Sequence, residues 1–130
     1  MKKYVVFSFF VLLFNYGKAQ YTLNFCEDVS KEGKPVMVSN QFMVDGDGGV
    51  LKFLLRSDDK FNTSQLDFRI YYVSDAGLEE EIERLPQAVQ TDWNFAWKEM
   101  VVYDPGVYRV KVFTDKGTYL TSANLTVKGK

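Results

Sequence analysis

The clearest pattern in the chain is a strict alternation: Leu66, Phe68, Ile70 and Tyr72 on one parity, Asp67, Arg69, Tyr71 and Val73 on the other. A period of two sends successive side chains to opposite faces, so 66–73 reads as a strand with one buried and one solvated face. A second such run follows a Pro-Gly turn. After Asp104-Pro105-Gly106, Tyr108, Val110 and Val112 alternate with Arg109 and Lys111, which predicts the first three facing a core and the two basic residues facing out. Leu51, Phe53 and Leu55 mark one face of a strand over 50–56, and Ala123, Leu125 and Val127 one face of a strand over 119–127. Tyr21 to Cys26 is a short first strand.

Other stretches are less regular. Val36 to Val44 is apolar but broken by Ser39-Asn40-Gln41, which suggests two short edge pieces around a kink, with Pro35 suited to an edge. Asp45-Gly46-Asp47-Gly48-Gly49 opens like a calcium loop, but position twelve is Arg56 where a bidentate Glu is required, so it reads as a glycine-rich hairpin connection and no metal site is assigned. Leu78 to Leu85 carries Glu79, Glu80, Glu81 and Glu83 around Ile82. That is too acidic for an amphipathic helix, and it reads as an exposed edge strand stopped by Pro86, with Gln87 to Asp92 as a connection. Trp93 to Tyr103 is the most aromatic strand; both its parities are apolar, and a bulge near Lys98-Glu99 would let both sets be buried. Roughly seven or eight short strands, turn signals between them and no convincing helix make an all-β, antiparallel sandwich.

The start of the chain follows a different rule. Lys2 and Lys3 precede an apolar run from Tyr4 to Phe14, and Gly17-Lys18-Ala19 places small residues at −3 and −1 of a cut before Gln20. This is the pattern of a secretory signal peptide over 1–19, leaving 20–130 as one domain, and the run is short for a span of about 20 residues. No membrane span is expected after cleavage. The Lys-Lys start and Lys-Ala-Gln end resemble export signals common in the Bacteroidota, which implies a periplasmic or extracellular protein.

Composition narrows the chemistry. The 130 residues carry a net charge of −1, without the basic excess of a nucleic-acid footprint. There is no His, which removes the commonest general base, and a single Cys, which removes internal disulfides and paired-Cys zinc sites. Cys26 would be the seventh residue after the cut, too far in for lipid attachment, and reads as a small buried thiol rather than as half of an intermolecular bridge. No Gly-x-Ser-x-Gly elbow and no phosphate loop occurs. The acids gather in 79–83 and at turns, as on a solvated face. The expectation is a protein without enzymatic activity or cofactor.

Asp104-x-Gly106-x-Tyr108-x-Val110 resembles the tyrosine corner that opens strand F of immunoglobulin-like domains. The resemblance implies an immunoglobulin-like or fibronectin-III-like sandwich in which Val110 stands where the second core Cys would be, without the core disulfide, and in which Asp104, Gly106 and Tyr108 are structural. It also implies that the strands at 66–73 and 107–114 are neighbours, so that Arg69, Tyr71, Arg109 and Lys111 share one outer face. Ile70 to Gly77 together with Pro105 to Val110 is similar to the small sorting domains of type IX secretion cargo, a second family of sandwiches and a minor alternative.

Two candidate sites follow. Arg69, Tyr71, Arg109 and Lys111 would dock another envelope or secreted protein with Tyr71 as anchor, unless Glu79, Glu81 and Glu83 on the adjacent edge neutralise them. Trp93, Phe95 and Trp97 share one parity. Large aromatics in sandwiches ordinarily face the core, and that is the expectation here; exposed, they would instead form a stacking platform for a glycan.

Overall fold

The computed structural model describes residues 20–129; the export signal expected over 1–19 lies outside the described residues. Ten strands run in order: β1 (Tyr21–Cys26), β2 (Asp28–Val29), β3 (Pro35–Val36), β4 (Gln41–Val44), β5 (Gly49–Ser57), β6 (Gln65–Val73), β7 (Glu79–Ala88), β8 (Phe95–Val102), β9 (Gly106–Thr114) and β10 (Tyr119–Gly129). A three-stranded sheet in the order β1-β5-β8 faces a five-stranded sheet in the order β4-β10-β9-β6-β7. This is an all-β, immunoglobulin-like sandwich. β6 and β9 are neighbours, and every long ladder is antiparallel except one: β4 runs parallel to β10, with Gln41 opposite Thr126 and Val44 opposite Gly129. The parallel pair arises because the chain leaves the first sheet after β1 and crosses to the second, where it meets the far end of β10.

The alternating residues of the sequence build the core. Leu51, Phe53 and Leu55 of β5 meet Leu66, Phe68 and Ile70 of β6 and Val110 and Val112 of β9, all nearly inaccessible to solvent. Phe53 sits at the centre, edge-on to Phe25 at 5.5 Å and tilted to Phe68 at 6.2 Å between ring centroids. Such offset arrangements match the positive ring edge of one aromatic to the negative face of another. Phe53 of the three-stranded sheet thus packs on Phe68 of the five-stranded one, with Val110 in the same cluster.

At the corner before β9, the Tyr108 hydroxyl donates to the Asp104 carbonyl at 2.7 Å. Tyr108 is buried, and that burial raises its phenol above the ordinary value, with the Asp104 charge adding to it. Gly106 lets Tyr72 cross the chain here: a Cβ on Gly106 would come within 2.6 Å of the Tyr72 ring. The Tyr72 ring packs edge-on against Tyr108 at 5.6 Å.

Three elements differ from the sequence expectation. β2 and β3 form a small two-stranded arm, held by Asp28 opposite Val36 and Val29 opposite Pro35; two-residue ladders of mixed polarity leave no periodic trace. β7 continues through Pro86 to Ala88, with Pro86 opposite Asp67. The strand lies at the edge of its sheet, where a residue without an N–H leaves no ladder bond unmade. β8 pairs with β5 from Gly49–Val102 to Arg56–Phe95 without a register shift, so the expected bulge at Lys98-Glu99 is absent and each parity keeps one face throughout. The bulges lie elsewhere, between Ile70 and Tyr71 against β7 and between Tyr119 and Thr121 against β9.

Candidate functional site

The uninterrupted register of β8 decides where its aromatics go. Ala96 and Val102 are buried and Met100 packs against the core. By alternation Phe95, Trp97, Glu99 and Val101 project from the opposite face. Trp93 and Trp97 are 42% and 40% exposed. The expectation that Trp93, Phe95 and Trp97 face the core is thus corrected. The core between β5 and β6 is already filled by Phe53 and Phe68, and small Ala96 suits the space left beside them.

These aromatics border a groove of about 640 Å³ lined by Asp92 through Glu99 together with Gln87 from the end of β7. Its volume lies in the range of small-ligand sites, about 300–1,000 Å³. It runs along the open edge of β8. The Asn94 carbonyl accepts from the Ser57 N–H at 2.8 Å, which points the Asn94 carbonyl toward β5. By the alternation of antiparallel ladders, the backbone groups of Phe95, Trp97 and Glu99 point away from β5, into the groove.

Two contacts hold the rings. The arm lies across the outer face of the three-stranded sheet, where Leu54 and Cys26 are fully buried although they sit outside the main core. At the arm's turn Gly33, with φ of 79°, presses its backbone on the Phe95 ring; a Cβ there would stand 2.5 Å from the Phe95 Cγ. Further along, the Lys52 ammonium lies 4.5 Å from the centre of the Trp97 ring and 2.7 Å from Asp28 Oδ1. The hydrogen bond from Lys52 holds the Asp28 carboxyl below its usual range, and the same bond raises the Lys52 ammonium. Beneath the arm, burial pushes the Cys26 thiol up, which keeps it protonated and unreactive.

The second expected site is assembled by β6 and β9. Arg69 faces Lys111 and Tyr71 faces Arg109 in register. Like charges directly opposite repel, and the face resolves this internally. Glu79 of β7 binds both the Arg109 guanidinium and Lys111, the latter at 2.8 Å. Lys111, and after it Arg109, hold the Glu79 carboxyl below its ordinary value. The Lys111 ammonium also lies over the Tyr71 ring at 4.6 Å, and the Arg69 guanidinium over Phe113 at 4.0 Å. Arg109 Nε donates to Asn124 at 2.8 Å, and the Tyr71 hydroxyl reaches Glu81 at 3.5 Å. Glu81 also takes Arg84 at 2.9 Å.

Sequence reasoning did not foresee Gln87, Asp92, Asn94, Lys98 and Glu99 as groove residues or Lys52, Asp28 and Gly33 as their supports. Only the alternation of Trp93, Phe95 and Trp97 signalled the site. Among the described residues, no group of three or more His, Cys, Asp or Glu is placed to hold a metal ion.

No protein-family model matches the chain, and no curated protein does. Solved structures with a similar fold include an immunoglobulin-like protein from Pseudomonas aeruginosa, with a TM-score of 0.49, 11% identity, and 86% of this chain and 93% of that one covered. Another is the CARDB domain of a Pyrococcus furiosus protein in complex with di-metal ions, at 0.44 and 7%, covering 87% and 94%. A third is superoxide reductase (neelaredoxin) from Ignicoccus hospitalis, at 0.46 and 8%, covering 84% of this chain and 80% of that one. At this similarity none lends this chain an activity, a metal or a ligand.

Proposed function

We propose that this domain is an exported, non-enzymatic binding module whose groove along β8 takes a carbohydrate. The observation that carries the reading is the outward display of Trp93 and Trp97 beside the groove. Indole faces suit the apolar face of a pyranose ring, and a ligand rich in hydroxyls needs acceptors and donors around them. Asp92, Asn94, Glu99 and Gln87 supply these. Acidic residues and Lys are depleted at the centres of protein–protein contacts, so Asp92, Lys98 and Glu99 favour a glycan over a protein in this groove.

The absence of His from the sequence supports binding rather than catalysis. Export is supported by the pattern of residues 1–19.

Glycan-array binding followed by calorimetry tests the reading. Trp97→Ala should weaken binding about tenfold or more, as for an anchor side chain, while the far-UV spectrum stays that of the parent. Binding unchanged in both Trp93→Ala and Trp97→Ala ends it.

A protein-docking role for Arg69, Tyr71, Arg109 and Lys111 in an envelope assembly is the second reading. It is favoured by one observation, the co-location of all four on the outer face of β6 and β9. Against it, Glu79 already neutralises two of the cations. Recovery of one secreted or envelope protein by the parent but not by Tyr71→Ala would put this reading first.

A further inference from the structure

The β2–β3 arm reaches the groove's aromatics in two ways, directly at Phe95 and through Lys52 at Trp97. Gly33 backs Phe95, and Asp28 reaches Lys52, whose ammonium lies against one face of Trp97. We infer that Asp28 and Lys52 are positioning residues of the groove: they fix the Trp97 ring by occupying its rear face, so that its free face is offered to a ligand. This rests on the groove being the binding site, and it adds the device that presents the platform.

A half-exposed indole on an edge strand has several staggered orientations, and locking it on binding costs conformational entropy. A cation held over one ring face selects one orientation beforehand. A lysine alone would not hold still, because its four-carbon stem is flexible. Asp28 removes that freedom by fixing the ammonium at 2.7 Å. Asp28 stands on the arm while Lys52 stands on β5, so the clamp also ties the arm to the sheet. The Lys52 side chain is largely covered, whereas Asp28 is open to solvent, so the acid can be altered without opening the fold.

The test needs no ligand at its first stage. The chain has two Trp, so Trp93→Phe leaves Trp97 as the one indole emitter. In that background Asp28→Asn and Lys52→Met should lower the steady-state anisotropy of Trp97 emission and raise its acrylamide quenching roughly two- to fivefold, the population change one cation–π contact supplies. Asp28→Glu should retain most of the parent behaviour. Raising salt should reproduce part of the effect in the parent and none in Asp28→Asn. Anisotropy and quenching unchanged in both Asp28→Asn and Lys52→Met overturn the clamp, whatever the glycan array shows. Changed emission with no glycan bound by the parent leaves the clamp standing and removes the carbohydrate reading instead. Where the array does give a ligand, Asp28→Asn should weaken it by a similar factor.

Discussion

Glu79 shows how one residue can settle the state of a whole face. Its carboxylate serves Arg109 and Lys111 together, and its pKa is depressed first by Lys111 and then by Arg109. A carboxyl depressed in the folded state adds stability above its unfolded value of about 4.3, and this is lost as pH falls through the lower folded value. Glu79→Gln should therefore destabilise the domain near neutral pH, and the parent and variant curves should converge in acid. Urea titrations at pH 7 and at pH 2–3 measure this; a gap that persists in acid would mean that Glu79 acts through packing. At the same scale, the Tyr108 corner was legible because the spacing Asp-x-Gly-x-Tyr encodes a local bond, and the chain makes it with Asp104. The clamp on Trp97 was not legible. Asp28 and Lys52 are 24 residues apart and meet only once the arm has folded over β5.

At the scale of the strand, legibility depended on whether the two parities differ. β6 and β9 have one charged face each, so the pattern dictated their orientation. β8 carries Phe95, Trp97 and Val101 on one side and Ala96, Met100 and Val102 on the other, and hydrophobicity could not choose between them. What chose was volume, since Phe53 and Phe68 already fill the centre. β8 also has an open edge, which in a sandwich invites pairing with a second strand. Lys98 lies on the inward parity between Ala96 and Met100 and stays partly exposed, a charge that an added strand would have to cover. β7, one of the two edges of the other sheet, carries Pro86 and a row of acids. Lys98→Val should remove the protection on β8 without harming the core, and light scattering should then show association rising with concentration. A strictly monomeric Lys98→Val at high concentration would mean that something else guards this edge.

For the whole molecule, two hydrophobic regions carry different duties. The inter-sheet core, centred on Phe53, holds the sandwich together, whereas Leu54 and Cys26 are buried on the far side of β5 and outside that core. Adjacent residues of one strand therefore report on different parts of the molecule. Phe53→Ala should cost about 3–5 kcal/mol of global stability, the range for a large aromatic lost from a core. Leu54→Ala should cost about 2–5 kcal/mol or less, depending on how far the arm can collapse onto the gap, and should raise amide exchange across 27–38 before the rest of the sandwich opens. Denaturation with hydrogen exchange separates the two; identical exchange maps would make the arm part of a single cooperative unit. The sandwich was legible from turns and alternation. The arm and the crossing of β4 to the second sheet depend on contacts between distant segments, which leave no local pattern.

That crossing also sets an order of events. β4 has one partner, β10, and β10 lies between β4 and β9 in the interior of its sheet. The ladder that seats Gln41 to Val44 needs Thr126 to Gly129, and the core closes over Leu125 and Val127. A chain from which β10 has not yet emerged can pair β1, β5 and β8 but cannot finish the five-stranded sheet. β4 and the free side of β9 must wait until the eleven-residue β10 arrives between them, and the sheet then closes through long-range pairings of the kind that fold in milliseconds to seconds.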